Sequence, residues 1–393
     1  MNTRLSARVK AVKPSPTLAV TARAAEMRAA GKDVIGLGAG EPDFDTPEHI
    51  KQAAIEAIRR GFTKYTAVDG TPELKRAIIA KFKRDNGFDY APEQILVSCG
   101  GKQSFYNLAQ AVLDPGDEVV IPVPYWVSYP DMAILAGGVP VFATGSADQN
   151  FKIKPSQLAA AITEKTKLVV INSPSNPTGV AYSEQELAEL GAVLLEHPRI
   201  IVATDDMYEH IRWSKEPFKN ILNACPALAE RMLVLNGVSK AYSMTGWRIG
   251  YAGGPEVIIK AMKKVQSQST SNPTSISQVA AQAALEGPQD CIQTMLVAFK
   301  ERHDYVVERL NGMPGISCLP TDGTFYVFPN VEKMIAGLRT VNNDLDLAEF
   351  LIERAGVALV PGSAFGLGGH IRISIATSRE NLEQALDRIE GIL

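Results

Sequence analysis

The sequence predicts an α/β fold, with a large domain built on a mainly parallel central sheet and a smaller α+β domain. Short β-branched runs alternate with helical segments through the middle of the chain, an order typical of parallel strands covered by helices on both faces. From about residue 295 the order changes to helix, short strands and helix. A length of 393 residues also favours two domains. We expect a large domain over 46–294, and a smaller part that comprises the N-terminal arm (1–45) and 295–393.

Five apolar runs are expected to form strands of the central sheet. In chain order they are QILVSC (94–99), DEVVIPV, TKLVVIN, IIVATDD and RMLVLNG. A helical segment, KQSFYNLAQAVL, follows the first run, and another, SEQELAELGAVLLEH, lies between the third and the fourth. The latter begins with Ser183 and has Glu186 three residues later, which is a capping-box pattern. A further helix, VAFKERHDYVVERL, marks the start of the smaller domain.

Composition excludes several classes of protein. Hydrophobic residues make up 46% and charged residues 21%, an ordinary globular balance, and a net charge of −3 favours neither nucleic acid nor an anionic membrane as a partner. No apolar run has the length of a membrane span, and the N-terminal stretch lacks the apolar core of a secretory signal. The four cysteines form no C-x-x-C, which suggests reduced thiols and a cytoplasmic location, and the five histidines form no H-E-x-x-H, so no metal site is expected.

Polar residues follow the predicted strands, where the reactive groups of open α/β sheets lie. In chain order they are Gly100, Gly101 and Lys102 after the first strand, Tyr125 and Trp126 after the second, SPSNPTG after the third, Asp205, Asp206 and Tyr208 after the fourth, and Lys240 after the fifth. Because parallel strands end at the same edge of a sheet, we expect these residues to converge.

Lys240 and the Gly100–Gly101 pair each allow two readings. Glycines between a strand and a helix let backbone N–H groups bind an anion, although many ordinary turns also contain Gly-Gly. A lysine after a strand is usually a solvated surface residue. It can instead form an imine with an aldehyde cofactor if desolvation or a neighbouring cation lowers its pKa, and Arg248 could be that cation or a phosphate ligand.

Asp205, Tyr208 and Trp126 fit a pyridine ring, with simpler alternatives for each. A carboxylate at the end of an apolar strand needs a cationic partner, such as a protonated pyridine nitrogen, or it caps the next helix. Tyr208 could bind the phenolic oxygen of such a ring. Trp126 could stack on the ring or could pack in the core.

Six motifs together resemble one known family. The segment SKAYSMTGWRIGYAGGP (239–255) resembles the cofactor-lysine segment of the class I pyridoxal-phosphate-dependent aminotransferases. The motifs GEPDFDTP, KYTAVDGTPELK, PYWVSYP, NSPSNPTG and DDMYEH are similar to other motifs of that family and occur in its order. The resemblance covers nearly the whole chain, and it is strongest to bacterial aspartate aminotransferases that also act on prephenate. It implies the type I fold of pyridoxal-phosphate-dependent transferases, with the cofactor bound in the large domain.

The resemblance also implies roles for individual residues around pyridoxal 5′-phosphate. Lys240 would be the imine-forming lysine that also moves the proton. Asp205 would hold the pyridine nitrogen. The other cofactor contacts would be Tyr208 and Asn176 at the phenolic oxygen, Trp126 on the ring, and Gly101, Lys102 and Arg248 at the phosphate. Tyr65 would reach the phosphate of a neighbouring subunit, which implies a homodimer with shared sites.

For the substrate, the resemblance assigns the α-carboxylate to Arg372 and the backbone of Gly40, with Trp126 and Asn176 beside it. On its strand pattern alone, Arg372 would be an outward surface residue. The stretch VQSQSTSNP lacks the arginine that other aspartate enzymes use for the second carboxylate. The resemblance to the bacterial subgroup instead implies that Lys102, after the Gly-Gly turn, binds it with Lys13, Ser15 and Thr17.

The predicted activity is therefore amino-group transfer between aspartate or glutamate and 2-oxo acids such as 2-oxoglutarate and oxaloacetate, extending to prephenate. Three alternatives stay open on the sequence. They are a carbon–sulfur β-lyase of the same fold, an aromatic amino acid aminotransferase, and a non-catalytic regulatory protein of the same fold. The last would be expected to carry a DNA-binding segment, and the sequence shows no basic N-terminal helix-turn-helix.

Overall fold

A computed structural model describes residues 4–393. The helices are α1 Ala7–Ala11, α2 Pro16–Ala29, α3 Glu48–Arg59, α4 Pro72–Lys81, α5 Gly101–Val112, α6 Ser128–Leu135, α7 Pro155–Ala161, α8 Glu184–Leu195, α9 Ile221–Ala224, α10 Glu256–Ser267, α11 Ser275–Glu286, α12 Asp290–Gly312, α13 Glu332–Gly337, α14 Asp344–Arg354 and α15 Arg379–Glu390. The strands are β1 Ile35–Gly36, β2 Ile95–Ser98, β3 Glu118–Val123, β4 Val139–Thr144, β5 Thr166–Asn172, β6 Ile201–Asp205, β7 Met232–Gly237, β8 Gly250–Gly253, β9 Tyr326–Val327, β10 Val357–Ala358, β11 Val360–Pro361 and β12 Ile371–Ser374. Within this part of the chain, no helix is both long and apolar enough to span a membrane.

The central sheet has seven strands in the order β2-β8-β7-β6-β5-β3-β4. Strand β8 runs antiparallel to both of its neighbours, and the other pairs are parallel. The five predicted strands form β2, β3, β5, β6 and β7, so the prediction of a mainly parallel sheet is confirmed. Their carboxyl ends lie at one edge of the sheet.

Helices cover both faces of this sheet, which explains why its inner strands are apolar throughout. Consecutive residues of a strand point to opposite faces. Val169 and Ile171 of β5 pack into one apolar cluster with α4, α8 and α11. Leu168 and Val170 pack into another with α5, α6 and α10. Helix α8 begins as predicted, because the Ser183 hydroxyl accepts a hydrogen bond from the Glu186 N–H at 3.2 Å.

The C-terminal part of the chain builds its own apolar cluster. It centres on the antiparallel sheet β11-β12-β9 and helices α12, α14 and α15. The N-terminal arm joins it, since β1 pairs in parallel with β10. The expected boundary after residue 294 falls inside α12, where Ile292 belongs to the first sheet cluster and Met295 to the C-terminal one. The domain limits stay a prediction.

Candidate active site

A cavity of ≈ 270 Å³ lies at the carboxyl ends of the parallel strands, where the C-terminal part of the chain faces the sheet. Twelve of the fourteen predicted site residues line it: Ser15, Thr17, Gly40, Gly101, Lys102, Trp126, Asn176, Asp205, Tyr208, Lys240, Arg248 and Arg372. The expected convergence holds for the strand-end residues among them, which are Gly101, Lys102, Trp126, Asn176, Asp205, Tyr208 and Lys240. Gly100, Tyr125 and Asp206, which also follow predicted strands, do not line the cavity.

Lys240 lies in the loop after β7 and is mostly buried. Its Nζ donates a hydrogen bond to the Gly40 carbonyl at 2.5 Å. Desolvation, together with the positive charges of Arg372 and Arg248, lowers the pKa of Lys240 to about 8. At pH 7 roughly a tenth of the molecules therefore carry the neutral amine, far more than for an ordinary lysine, and the neutral amine is the form that attacks an aldehyde.

Asp205 is the last residue of β6, and its carboxylate faces the cavity. Its Oδ2 accepts a hydrogen bond from the Tyr129 hydroxyl at 2.5 Å, and its Oδ1 accepts one from the Met207 N–H at 3.2 Å. Burial raises the pKa of Asp205. A cation in the cavity would therefore stabilise its charged form, which fits a protonated ring nitrogen.

The neighbouring Asp206 points away from the cavity. It is fully buried and accepts hydrogen bonds from Asn220 and Thr204, each at 2.6 Å. Burial and the nearby Glu209 raise the pKa of Asp206 to about 8. The geometry thus places Asp205, rather than Asp206, within reach of a ligand.

Arg372 projects inward from β12 and is 2% exposed, so the outward surface reading of its strand pattern is wrong. Its Nη1 donates to Asn176 Oδ1 and its Nη2 to the Gly38 carbonyl, both at 2.8 Å. Among residues 4–393, no carboxylate forms a salt bridge with it, and its Nε has no hydrogen-bond partner. A buried cation that lacks an anion is costly, so the site indicates an anionic ligand.

The start of α5 forms an anion-binding end of the cavity. Gly100 caps this helix with φ +88°, and the Arg248 guanidinium lies so close that a Cβ on Gly100 would be 2.1 Å from its Nη2. Arg248 also donates to the carbonyls of Thr245 and Cys99. Free N–H groups at a helix N-terminus and a fixed guanidinium are what a phosphate requires.

Lys102, in the first turn of α5, lies over Trp126, with its Nζ 5.2 Å from the ring centroid. Burial and the charge of Arg248 lower the pKa of Lys102. Ser15 and Thr17 also line the cavity, and the Thr17 hydroxyl has no hydrogen-bond partner in the described part of the chain. Together with Lys102, these hydroxyls could bind a second anionic group.

Two predicted site residues lie outside the cavity. Lys13 is exposed, and its side chain is not part of the lining. Tyr65 is 92% exposed and lines a separate surface depression with residues such as Asn272. It therefore does not reach the cavity of its own chain. The roles of both residues stay predictions.

The structure adds cavity residues that were not predicted, namely Tyr129, Asn172, Ser239 and Tyr326. Asn172 ends β5, and its Nδ2 donates a hydrogen bond to the Asp205 carbonyl at 2.9 Å. Its position at the end of a predicted strand could have identified it as a site residue. Tyr129 follows Trp126 by three residues at the start of α6, a spacing that brings side chains together. Tyr326 comes from β9 in the C-terminal part, and nothing in the sequence signals its position.

The fold and the site together define an aminotransferase. The family model for aminotransferases of class I and II matches residues 32–389, and the chain belongs to that family. The protein is therefore a pyridoxal-phosphate-dependent aminotransferase of the type I fold.

Curated and solved relatives support the same assignment. The aspartate/prephenate aminotransferase of Nitrosomonas europaea is 60% identical, over 99% of this chain and 100% of its own. The aspartate aminotransferase of Rhizobium meliloti has a TM-score of 0.95 at 49% identity, covering 99% of this chain and 98% of its own. The Thermus thermophilus aspartate aminotransferase, solved with maleate, has a TM-score of 0.93 at 44% identity, with both chains covered in full.

The residues of the cavity fit pyridoxal 5′-phosphate. The start of α5 and Arg248 suit its phosphate, the amine of Lys240 suits its aldehyde, and the carboxylate of Asp205 suits its ring nitrogen. Trp126 offers an aromatic face between them, packed edge-on against Tyr129 with centroids 5.1 Å apart. Each chemical group of the cofactor thus has a matching group in the cavity.

Proposed function

We propose that the protein transfers the amino group of aspartate or glutamate to 2-oxo acids, with 2-oxoglutarate and oxaloacetate as acceptors, and that it also acts on prephenate. The observation that carries this proposal is a pair of cations, Arg372 and Lys102, in one cavity. Neither forms a salt bridge with a carboxylate of residues 4–393. A dicarboxylate matches such a pair. The names of the relatives agree, as does the maleate bound to one of them, since maleate is itself a dicarboxylate.

In this proposal Arg372 binds the α-carboxylate of the substrate. Asn176 and Gly38 fix the guanidinium, so it is already oriented when the substrate arrives, and its unpaired Nε is available as a donor. At the other side, the Lys102 ammonium binds the second carboxylate, with Ser15 and Thr17 as hydroxyl donors. An ammonium on a flexible stem can follow carboxylates at different distances, which suits substrates of different length.

The chain's own groups position the cofactor and move the proton. When bound, pyridoxal phosphate supplies a ring that can hold the electron pair left when the Cα–H bond breaks. Lys240 Nζ would remove the proton from the substrate's Cα and, as an ammonium, would deliver it to the C4′ carbon of the cofactor, since a pKa of about 8 suits both proton removal and proton donation near neutral pH. Asp205 would hold the ring nitrogen, and the hydroxyl of Tyr208 would donate to the phenolic oxygen.

The working unit in this proposal is a homodimer with shared sites. Tyr65 is exposed beside residues 270–275, on a surface apart from the cavity of its own chain. The sequence resemblance assigns it to the phosphate of the neighbouring chain. The cytoplasmic location and a role in amino acid biosynthesis likewise stay predictions.

A Lys102→Met exchange tests the dicarboxylate assignment. The variant keeps the apolar stem against Trp126 and loses the charge. We expect kcat/KM for aspartate to fall roughly 30-fold, equivalent to about 2 kcal/mol, which is the lower end for a broken charge pair because Lys102 is exposed. The value for alanine should change much less.

The matched control is Lys260→Met on the exposed face of α10, which should leave both substrates unaffected. Equal losses for aspartate and alanine in Lys102→Met would show that Lys102 serves only the cofactor phosphate or the fold. The dicarboxylate assignment would then lose its main support.

A further inference from the structure

Tyr326 is a cavity residue to which neither the sequence nor the resemblance gives a role. It lies on β9, opposite Ser374 of β12, and its side chain is 1% exposed. The side chain reaches from the C-terminal part of the chain to the loop after β6. It therefore contacts groups from both sides of the cavity.

The hydroxyl of Tyr326 forms a hydrogen bond with the hydroxyl of Tyr208, with the two oxygens 3.0 Å apart. Burial raises the pKa of both phenols, so both stay protonated. A phenol has a single proton to donate. If Tyr208 donates to Tyr326, that proton is not available to a ligand. If Tyr326 donates, Tyr208 keeps its proton for an acceptor in the cavity.

The arrangement in which Tyr326 donates to Tyr208 pairs more donors and acceptors once a ligand is bound. Among residues 4–393, Tyr326 Oη forms a hydrogen bond only with Tyr208. Tyr208 also lines the cavity, where a ligand oxygen can accept its proton. Buried polar groups adopt the pattern that pairs the most donors and acceptors. When a ligand oxygen in the cavity accepts the Tyr208 proton, Tyr326 therefore donates its own proton to the Tyr208 hydroxyl.

The ring of Tyr326 makes a separate contact with Arg372. The guanidinium carbon lies 4.3 Å from the Tyr326 ring centroid and 5.0 Å from that of Phe365. Aromatic faces attract a guanidinium and fix its plane. The Tyr326 hydroxyl also lies close to Gly40, where an added Cβ would be 3.1 Å from it.

We propose that Tyr326 is a positioning residue with two separable actions. Its hydroxyl donates to Tyr208 and so directs the Tyr208 proton towards the cofactor's phenolic oxygen, and its ring holds the Arg372 guanidinium in the orientation that binds the substrate's α-carboxylate. The proposal rests on the proposed function for the identity of the two ligands.

The hydroxyl is tested with the cofactor-loaded Tyr326→Phe variant, which keeps the ring. Loss of the donor weakens Tyr208 as a donor in turn, since linked hydrogen bonds strengthen one another. The absorbance of the bound cofactor changes with pH. We expect the midpoint of this change to lie about half a pH unit higher in Tyr326→Phe than in the wild-type protein, a smaller rise than in Tyr208→Phe. In the double variant Tyr208→Phe/Tyr326→Phe the midpoint should equal that of Tyr208→Phe, because Tyr326 acts through Tyr208.

The ring is tested with Tyr326→Leu. We expect KM for every amino acid substrate, and the Kd of succinate as an unreactive dicarboxylate, to rise about 10-fold relative to Tyr326→Phe. The control is Tyr251→Phe, a buried phenol that does not line the cavity, and it should change neither quantity. If Tyr326→Leu does not fold, the titrations of the two Phe variants and their double variant decide the hydroxyl action, and Tyr326→Met replaces it in the ring test, with the same expected rise in the Kd of succinate relative to Tyr326→Phe.

Three results would overturn the proposal: an unchanged midpoint in Tyr326→Phe, a double variant whose midpoint moves beyond that of Tyr208→Phe, or an equal Kd of succinate in Tyr326→Leu and Tyr326→Phe. The titration needs only bound cofactor. It therefore remains informative even if the wild-type protein fails to transfer an amino group from aspartate, so the two failures can be told apart.

Discussion

Lys240 is a mostly buried amine whose surroundings favour its neutral form. The positive charges of Arg372 and Arg248 act on it, and it donates a hydrogen bond to the backbone carbonyl of Gly40. Desolvation is the main cause of its lowered pKa. In these surroundings the lysine can act as a nucleophile and as a base.

Removing this amine should abolish covalent capture of the cofactor while leaving a folded protein. We expect Lys240→Ala to bind pyridoxal phosphate without forming a covalent bond. Borohydride reduction followed by mass spectrometry checks this, since the wild-type protein should gain the cofactor's mass on Lys240. A reduced adduct on another lysine of the variant, such as Lys102, would show that Lys240 is not the unique anchor.

The pH dependence of capture follows from the lowered pKa of Lys240. Only the neutral amine attacks an aldehyde, so capture by the cofactor-free protein should accelerate as pH rises through about 8 and level off above it. Stopped-flow absorbance measures the rate of capture at pH values from about 6 to 11, a range that includes both the lowered and the ordinary pKa of a lysine. A midpoint near that of an ordinary lysine, roughly 10.4, would contradict the account of the site.

The two adjacent carboxylates should respond differently to substitution. Asp205→Ala should still bind cofactor and lose most turnover, because an uncharged ring nitrogen is a poorer electron sink. Asp206→Asn should retain most turnover, since Asp206 lies outside the cavity and burial raises its pKa to about 8, so it is largely uncharged at neutral pH. Steady-state kinetics of the two variants decides this, and the reverse order of losses would mean that the roles are exchanged.

Among the secondary-structure elements, a buried ion pair holds the loop that follows Asp205 and carries Tyr208 against α4. Lys81, at the end of α4, pairs with Glu209 in that loop, and both side chains are almost fully buried. Burial alone would raise the pKa of Glu209, but Lys81 and His210 bring it below its usual value. The ligand atoms of Asp85, Glu209 and His210 lie close enough to hold a metal ion, yet the Lys81 ammonium supplies a cation to both acids.

Breaking this pair should destabilise the protein strongly. Lys81→Met leaves Glu209 buried without its cation, and we expect the free energy of unfolding to fall by about 3–5 kcal/mol. Guanidinium denaturation measures it. The control is Lys83→Met, whose exposed pair with Asp89 should contribute less than about 1 kcal/mol. Similar losses in the two variants would argue against a structural role for the buried pair.

The sequence revealed the inner elements better than the outer ones. Strands β2, β3, β5, β6 and β7 are apolar runs because they are buried on both faces, so the pattern predicts them. Strand β4 was not predicted, since most of its residues are partly exposed, and neither was the short β8, in which two of four residues are glycine. Residues at strand ends were found by the same logic. The positions of Arg372 and Tyr326 depend on how the C-terminal part packs against the sheet, which no local pattern encodes.

For the assembled protein, we expect a dimer whose subunits complete each other's sites. Tyr65→Ala and Lys240→Ala should each impair activity. A hybrid dimer with one change on each chain should regain one native site, since the chain with an intact Lys240 receives Tyr65 from its partner. A hybrid of the wild-type chain with a chain carrying both changes should contain no native site.

Co-expression of differently tagged chains yields the two hybrids for comparison. The hybrid with one change on each chain should be more active than the hybrid that carries both changes on one chain. Equal activity of the two hybrids, or a monomer by light scattering, would rule out shared sites.

An isotope label on the amino group shows whether the protein transfers it. The loaded enzyme is supplied with ¹⁵N-aspartate and 2-oxoglutarate, with Lys240→Ala as the blank, and the products are followed by NMR and mass spectrometry. We predict ¹⁵N-glutamate and oxaloacetate in equal amounts, because a transferase conserves the amino group. Free ¹⁵N-ammonium with the 2-oxoglutarate left unconverted would contradict amino-group transfer and indicate a lyase instead.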